Sequence, residues 1–230
     1  METLNYRKFM EKKVTAMLKP FGLKRFNRYN DDFCFIDDQG WFISIFDLQL
    51  PTDFDGKPHQ DVLEKYYFVS CGIDFNWDLS SSITLNFPDD FIIFLEFADE
   101  EHFIENLIII CMETIKKTLE YRNYLRNIKT AKNFIMKNKF GSKSSIWTNY
   151  NRGVISGLAG NIENLNKYFD KILAMNEKNN RHSSEKMLKD VLDLKNIANK
   201  DINKFTKKIL SIMNKARELK KLDKMQIKME

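Results

Sequence analysis

The spacing of apolar residues changes once in this chain and does not change back. Up to Phe97 the apolar residues fall in short runs rich in aromatic and β-branched side chains; beyond it they recur every three or four residues. A period near two fits a pleated strand and a period near 3.6 fits a helix, so the two halves cannot exchange roles. The switch predicts an α+β protein: an N-terminal helix on an antiparallel sheet, followed by a mainly α-helical C-terminal half with a long amphipathic terminal helix.

A helix precedes the strands. Phe9, Met10, Val14, Met17 and Leu18 share one face between about Leu4 and Leu18, and Pro20 with Gly22 closes the helix. Strands are expected at Asp32–Asp37, Trp41–Leu50, Tyr66–Phe75 and Phe91–Phe97, with weaker signals at Leu23–Tyr29 and Ser82–Phe87. The tract Asp37-Asp38-Gln39-Gly40 reads as a tight reversal, with Gly available for positive φ. Phe33 and Phe35 alternate with Cys34 and Ile36, so both faces of that strand are apolar and need cover.

Helices fill the second half. Asp99-Glu100-Glu101 supplies acids for a helix N-terminus, and Phe103, Leu107, Ile110, Cys111, Ile115, Leu119 and Leu125 trace one long stripe. Gly141-Ser142-Lys143-Ser144-Ser145 reads as a linker that opens a helix near Ile146. Gly157-Leu158-Ala159-Gly160-Asn161 reads as a corner into a further helix, and residues 179–184 break the pattern again. The last segment is the most periodic: Met187, Val191, Leu194, Ala198, Ile202, Phe205, Ile209, Ile212, Ala216, Leu219 and Leu222. Its extra four-residue step, from Leu194 to Ala198 to Ile202, acts as a stutter, so the tail forms one long helix or a pair broken near Asp201. Three regions are expected: an acidic helix plus antiparallel sheet over 1–98, a basic helical region over 99–180 and an amphipathic helical tail over 181–230.

Charge divides along the same line. Residues 1–100 hold 10 Lys+Arg against 18 Asp+Glu, residues 101–180 hold 13 against 7, and residues 181–230 hold 14 against 7, which together give the net +5. Such asymmetry fits a charged partner, or two halves facing each other. The candidate partner-binding residues are Lys116, Lys117, Arg122, Arg126, Lys204, Lys207, Lys208 and Lys215. An acidic protein partner is the leading expectation. Nucleic acid is the alternative, because Tyr121 and Tyr124 near Arg122 and Arg126, and Trp147 and Tyr150 near Arg152, suit phosphate neutralisation with stacking. Self-association through the Met187–Leu222 stripe is a further use of the tail.

Little in the chain provides for catalysis. Cys34, Cys71 and Cys111 are far apart and belong to no metal-ligand spacing, so buried reduced thiols are expected. His59, His102 and His182 have no motif partner. The acidic pairs Asp31-Asp32, Asp37-Asp38, Asp53 with Asp55, Asp74 with Asp78 and Asp89-Asp90 fall where strands should end, as solvated turn residues do. The Gly141 tract lacks the earlier Gly and the preceding strand of a phosphate-binding loop. No catalytic residue, metal or organic cofactor is expected. The longest apolar runs, such as Leu107-Ile108-Ile109-Ile110-Cys111-Met112, are too short to span a bilayer, and the N-terminus carries no secretory pattern, so the expected setting is cytoplasmic, without a membrane partner.

Several landmarks recur in a familiar order. The run Leu18-Lys19-Pro20-Phe21-Gly22-Leu23-Lys24-Arg25, then Asn27-Arg28-Tyr29, then a strand from Ile43 to Asp47-Leu48-Gln49, then Phe68-Val69-Ser70-Cys71-Gly72-Ile73, resembles the bacterial family called domain of unknown function 4304. The corner Ala159-Gly160-Asn161 is similar to the small-Gly-acidic corner of that family's helical tail. The resemblance covers about residues 5–175; Leu50-Pro51 departs from the family's basic residue and Ser, and residues 180–230 lie outside it. It implies helix, antiparallel sheet and helices in that order, and it brings no chemistry. Members that look like cargo or immunity genes of defence and toxin systems imply binding rather than catalysis. The expectation is a non-enzymatic interaction protein of immunity or phage counter-defence type, which binds and neutralises or positions a macromolecule.

Overall fold

A computed structural model describes residues 6–26, 34–49, 66–75, 77, 92–96, 100–138, 146–178 and 185–225. The fold is α+β, with the C-terminal half mostly helical. Helix α1 (Tyr6–Leu18) leads into strands β1 (Lys24–Phe26), β2 (Cys34–Asp38), β3 (Phe42–Gln49), β4 (Tyr66–Phe75) and β5 (Ile92–Glu96). There follow α2 (Glu100–Tyr124), α3 (Ile128–Lys137), α4 (Ile146–Leu158), α5 (Ile162–Lys178), α6 (Glu185–Lys200) and α7 (Ile202–Leu219). The weak strand signal at Ser82–Phe87, the linker at Gly141–Ser145 and the break at 179–184 lie outside the described residues.

Contacts group the chain into two compact units. The first comprises Met1–Gln39, Ile43–Ile73 and Asp90–Tyr121, and the second Gly40–Phe42, Asp74–Asp89 and Arg122–Glu230. The boundary thus falls inside α2, some way past the change of periodicity.

In the first unit the strands lie in sequence order, with antiparallel pairing of β1 to β2, β2 to β3 and β4 to β5. The 3-10 turn Lys19–Phe21 ends at Gly22, whose φ of 82° lets its N–H return to the Lys19 carbonyl. An ion pair between Glu11 and Arg25 ties α1 to β1. Cys34, Phe35, Ile36 and Asp37 are all buried, so both faces of β2 are covered. Asp37 corrects the reading of the acidic pairs as turn residues: it lies within a strand, 1% exposed, and its carboxylate accepts from Gln39 Nε2 at 2.8 Å. Its cross-strand neighbour is the buried Ser44.

The second unit is organised around α4. From Thr148 to Gly157 every residue except Arg152 is buried, so this helix has no water-facing side over that stretch. Gly153 and Gly157 sit one helical turn apart, and the space a Cβ would need is taken. At Gly153 it would meet the Phe169 ring at 2.3 Å; at Gly157 it would meet Leu165 Cδ1 and the Phe205 ring, each at 2.5 Å. Two glycines therefore let the side chains of α5 and α7 press onto the α4 backbone. The corner expected at Ala159-Gly160-Asn161 closes α4 by a paired motif: Asn161 N–H reaches Ser156 O at 2.8 Å and Gly160 N–H reaches Gly157 O at 3.0 Å. Asn161 then caps α5 by accepting from Asn164 N–H at 2.9 Å.

Candidate interaction surface on the last helix

The periodic tail is two helices because Asp201 stops one and starts the other. Its backbone is extended, and its carboxylate accepts from Asn203 N–H at 2.9 Å and Lys204 N–H at 3.2 Å. Such a cap contributes about 1 kcal/mol. In α6 the stripe runs as the sequence predicts, with Met187, Val191, Leu194 and Ala198 buried. In α7 it shifts. Phe205, Ile209, Met213 and Arg217 are buried, whereas Ile212 and Ala216 are half-buried and Leu219 is 61% exposed. Repeated four-residue steps turn the buried line by about 40° each, so it winds around the helix instead of following a heptad.

Arg217 was hidden from a hydropathy reading by its charge. It is 4% exposed, and its guanidinium donates to the Gly40 carbonyl at 2.7 Å and the Asp223 carbonyl at 2.6 Å. Asn214 grips the same returning segment, accepting from Met225 N–H at 2.8 Å and donating to Met225 O at 3.3 Å. The helix ends with Leu222 N–H on Arg217 O and Lys221 N–H on Glu218 O, with Lys221 at φ 56° where Gly is usual. These contacts fix the rotation of α7 about its axis, and with it the outward face.

That outward face carries Lys204, Lys207, Lys208 and Lys215, all exposed. Among the described residues none of the four ammonium groups has a hydrogen bond or an ion-pair partner. Three lysines elsewhere are matched, Lys116 to Glu113 at 3.1 Å, Lys117 to Glu120 at 2.8 Å, and Lys195 to Asp170, whereas Lys129, Lys167, Lys186, Lys189 and Lys200 are exposed without such a partner among the described residues, so it is the clustering on one face that sets the α7 lysines apart. Lys204, Lys207 and Lys208 also oppose the helix that bears them. Lys204 lies in a first turn that holds no acid, and it stands one turn from both Lys207 and Lys208. Dipole and like-charge repulsion together disfavour this end by roughly 1 kcal/mol, which the Asp201 cap offsets.

The other sequence candidates divide. Lys116 and Lys117 belong to the first unit; Lys117 also lies 5.1 Å from the centre of the Tyr121 ring. Arg122 is half-buried and Arg126 exposed, both in the second unit with the α7 lysines. The interleaved aromatics are corrected more sharply. Tyr121 and Tyr150 are core residues, 1% and 0% exposed, and Tyr124 stacks on Phe134 at 5.1 Å. Tyr150 donates its hydroxyl to the Trp77 carbonyl at 3.0 Å, and the Trp77 indole N–H reaches Asn151 Oδ1 at 2.8 Å. Arg152 closes the end of α3, donating to the carbonyls of Ile135, Met136 and Asn138. Tyr121 and Tyr150 are thus spent inside the fold, while Tyr124 is 41% exposed and Trp147 half-buried.

Among the described residues no nucleophile stands out. Cys34 and Cys111 are buried, reduced thiols, and burial pushes the Cys111 thiol up to about 12, with the charge of Lys13 acting the other way. Among the described residues no three of His, Cys, Asp and Glu converge as a metal site would require. No described helix is long and apolar enough to cross a membrane. Compared with protein-family models, curated proteins and solved structures, the chain matches none.

Proposed function

We propose that this is a non-enzymatic interaction protein whose α7 lysine face docks an acidic protein and neutralises or positions it. The observation that carries the reading is the set of four exposed lysines on one face of α7, three of them crowded at the N-terminal end, where like charge disfavours the helix. A face kept only for solubility gains nothing from crowding like charges at a helix N-terminus, where acids would serve equally well. The resemblance to the family of unknown function 4304, and to its immunity-like members, fits this reading, as does a cytoplasmic setting. Complementary charge would set on-rate and specificity more than affinity.

Capture from a host lysate tests it, with wild-type protein beside the variant K204E/K207E/K208E/K215E. The expected result is a protein captured by the wild type, lost with the variant and unaffected by nuclease. Capture that survives charge reversal contradicts the proposal. Capture of nucleic acid, with affinity falling log-linearly as salt rises, would favour the nucleic-acid alternative.

A further inference from the structure

A second face lies on α2, in the first unit. The inward line of this helix runs Leu107, Cys111, Thr114, Thr118 and Tyr121, all buried. The opposite line runs His102, Glu105, Ile109, Met112, Lys116 and Leu119, all exposed, with steps of three, four, three, four and three. That is a heptad seam, the spacing by which one helix packs along another. Ile109, Met112 and Leu119 are 45%, 61% and 49% exposed, which puts three of the described chain's large exposed apolar side chains on one seam. Leu119, expected in the buried stripe, belongs instead to this outward line.

We infer that the seam binds α2 of a second copy of this chain, antiparallel, about a two-fold axis between Ile109 and Met112. In that register Ile109 meets the copy's Met112, and symmetry repeats the contact. Glu105 then lies opposite the copy's Lys116, twice, so each end of the apolar centre closes with opposite charges. His102 meets the copy's Leu119 at the rim. Parallel pairing would set Glu105 against Glu105 and Lys116 against Lys116, and the seam therefore discriminates against it. Three apolar side chains per copy make a small, reversible interface. Lys116 is accordingly assigned to self-association and leaves the partner-binding set.

Sedimentation equilibrium of the full chain from about 1 to 500 μM, a range suited to weak transient contacts, tests the inference. The expected result is a concentration-dependent dimer. Ile109→Glu with Met112→Glu should leave the far-ultraviolet circular dichroism unchanged, both positions being exposed, and raise the dissociation constant by about tenfold or more. Glu105→Lys should weaken the dimer by like-charge contact, and E105K/K116E should restore it, since the swap recreates the complement in this register alone. A wild type that stays monomeric, a dimer indifferent to the Ile109 and Met112 changes, or a charge swap that fails to restore association would each overturn the inference.

Discussion

Helices α4 and α7 pack together in one unit, yet the sequence constrains them in opposite ways. In α4 almost every side chain from Thr148 to Gly157 is buried, and at Gly153 and Gly157 even a methyl group has no room. In α7 one line is buried while the facing line holds four lysines whose ammonium groups have no hydrogen-bond or ion-pair partner among the described residues. The difference separates residues kept for the fold from residues the fold does not need. The lysine face is therefore the place where substitution should change binding and leave folding alone.

Substitutions that break this contrast should scale with burial. Phe205→Ala removes a ring that is 0% exposed and fills the notch at Gly157, so urea unfolding of the second unit should lose about 3–5 kcal/mol. Gly153→Ala should raise helix propensity by about 1 kcal/mol and still destabilise by about 1–3 kcal/mol, because the rigid Phe169 ring occupies the Cβ position. A gain in midpoint for that variant would show that α5 can move away from α4. Arg217→Met keeps the aliphatic stem but leaves the Gly40 and Asp223 carbonyls without their donor, a loss of about 1–2 kcal/mol measured by thermal melting. At the small end, each of Lys204→Glu, Lys207→Glu, Lys208→Glu and Lys215→Glu should change stability by less than about 0.5 kcal/mol, with Lys204→Glu stabilising through the helix dipole. A variant of this group that unfolds would mean the lysine face has a structural duty.

The α+β order, the principal strands and the corner at Gly160 were legible because each rests on local chemistry, alternation or a positive-φ glycine, whereas the sequence leaves the tail open between one long helix and a pair broken near Asp201, and the carboxylate cap decides for the pair. Faces were harder. In α2 the apolar residues run nearly all the way round, so periodicity alone assigned Leu119 to the core and passed over Thr114 and Thr118, which are buried. In α7 the stripe leaves its heptad where Met213 and Arg217 replace Ile212 and Ala216, and a buried arginine is invisible to hydropathy because its partners are backbone carbonyls remote in sequence. The same holds for Asp37 and for Arg152, whose hydrogen bonds rather than their residue types account for their positions. Of the candidate site, the four α7 lysines were legible as a lysine-rich face; that they lack partners while Lys116 and Lys117 have them depends on which acids the fold brings near.

The most direct measurement is lysine footprinting. The protein is labelled with an amine-reactive reagent alone and in complex with whatever acidic protein it captures, and modification of each lysine is read by mass spectrometry. The account predicts high reactivity at Lys204, Lys207, Lys208 and Lys215 in the free protein and strong protection of these four in the complex, with Lys186 and Lys189 on the outward side of α6 unchanged. A complex in which the α7 lysines stay fully reactive would contradict the assignment of that face as the docking surface.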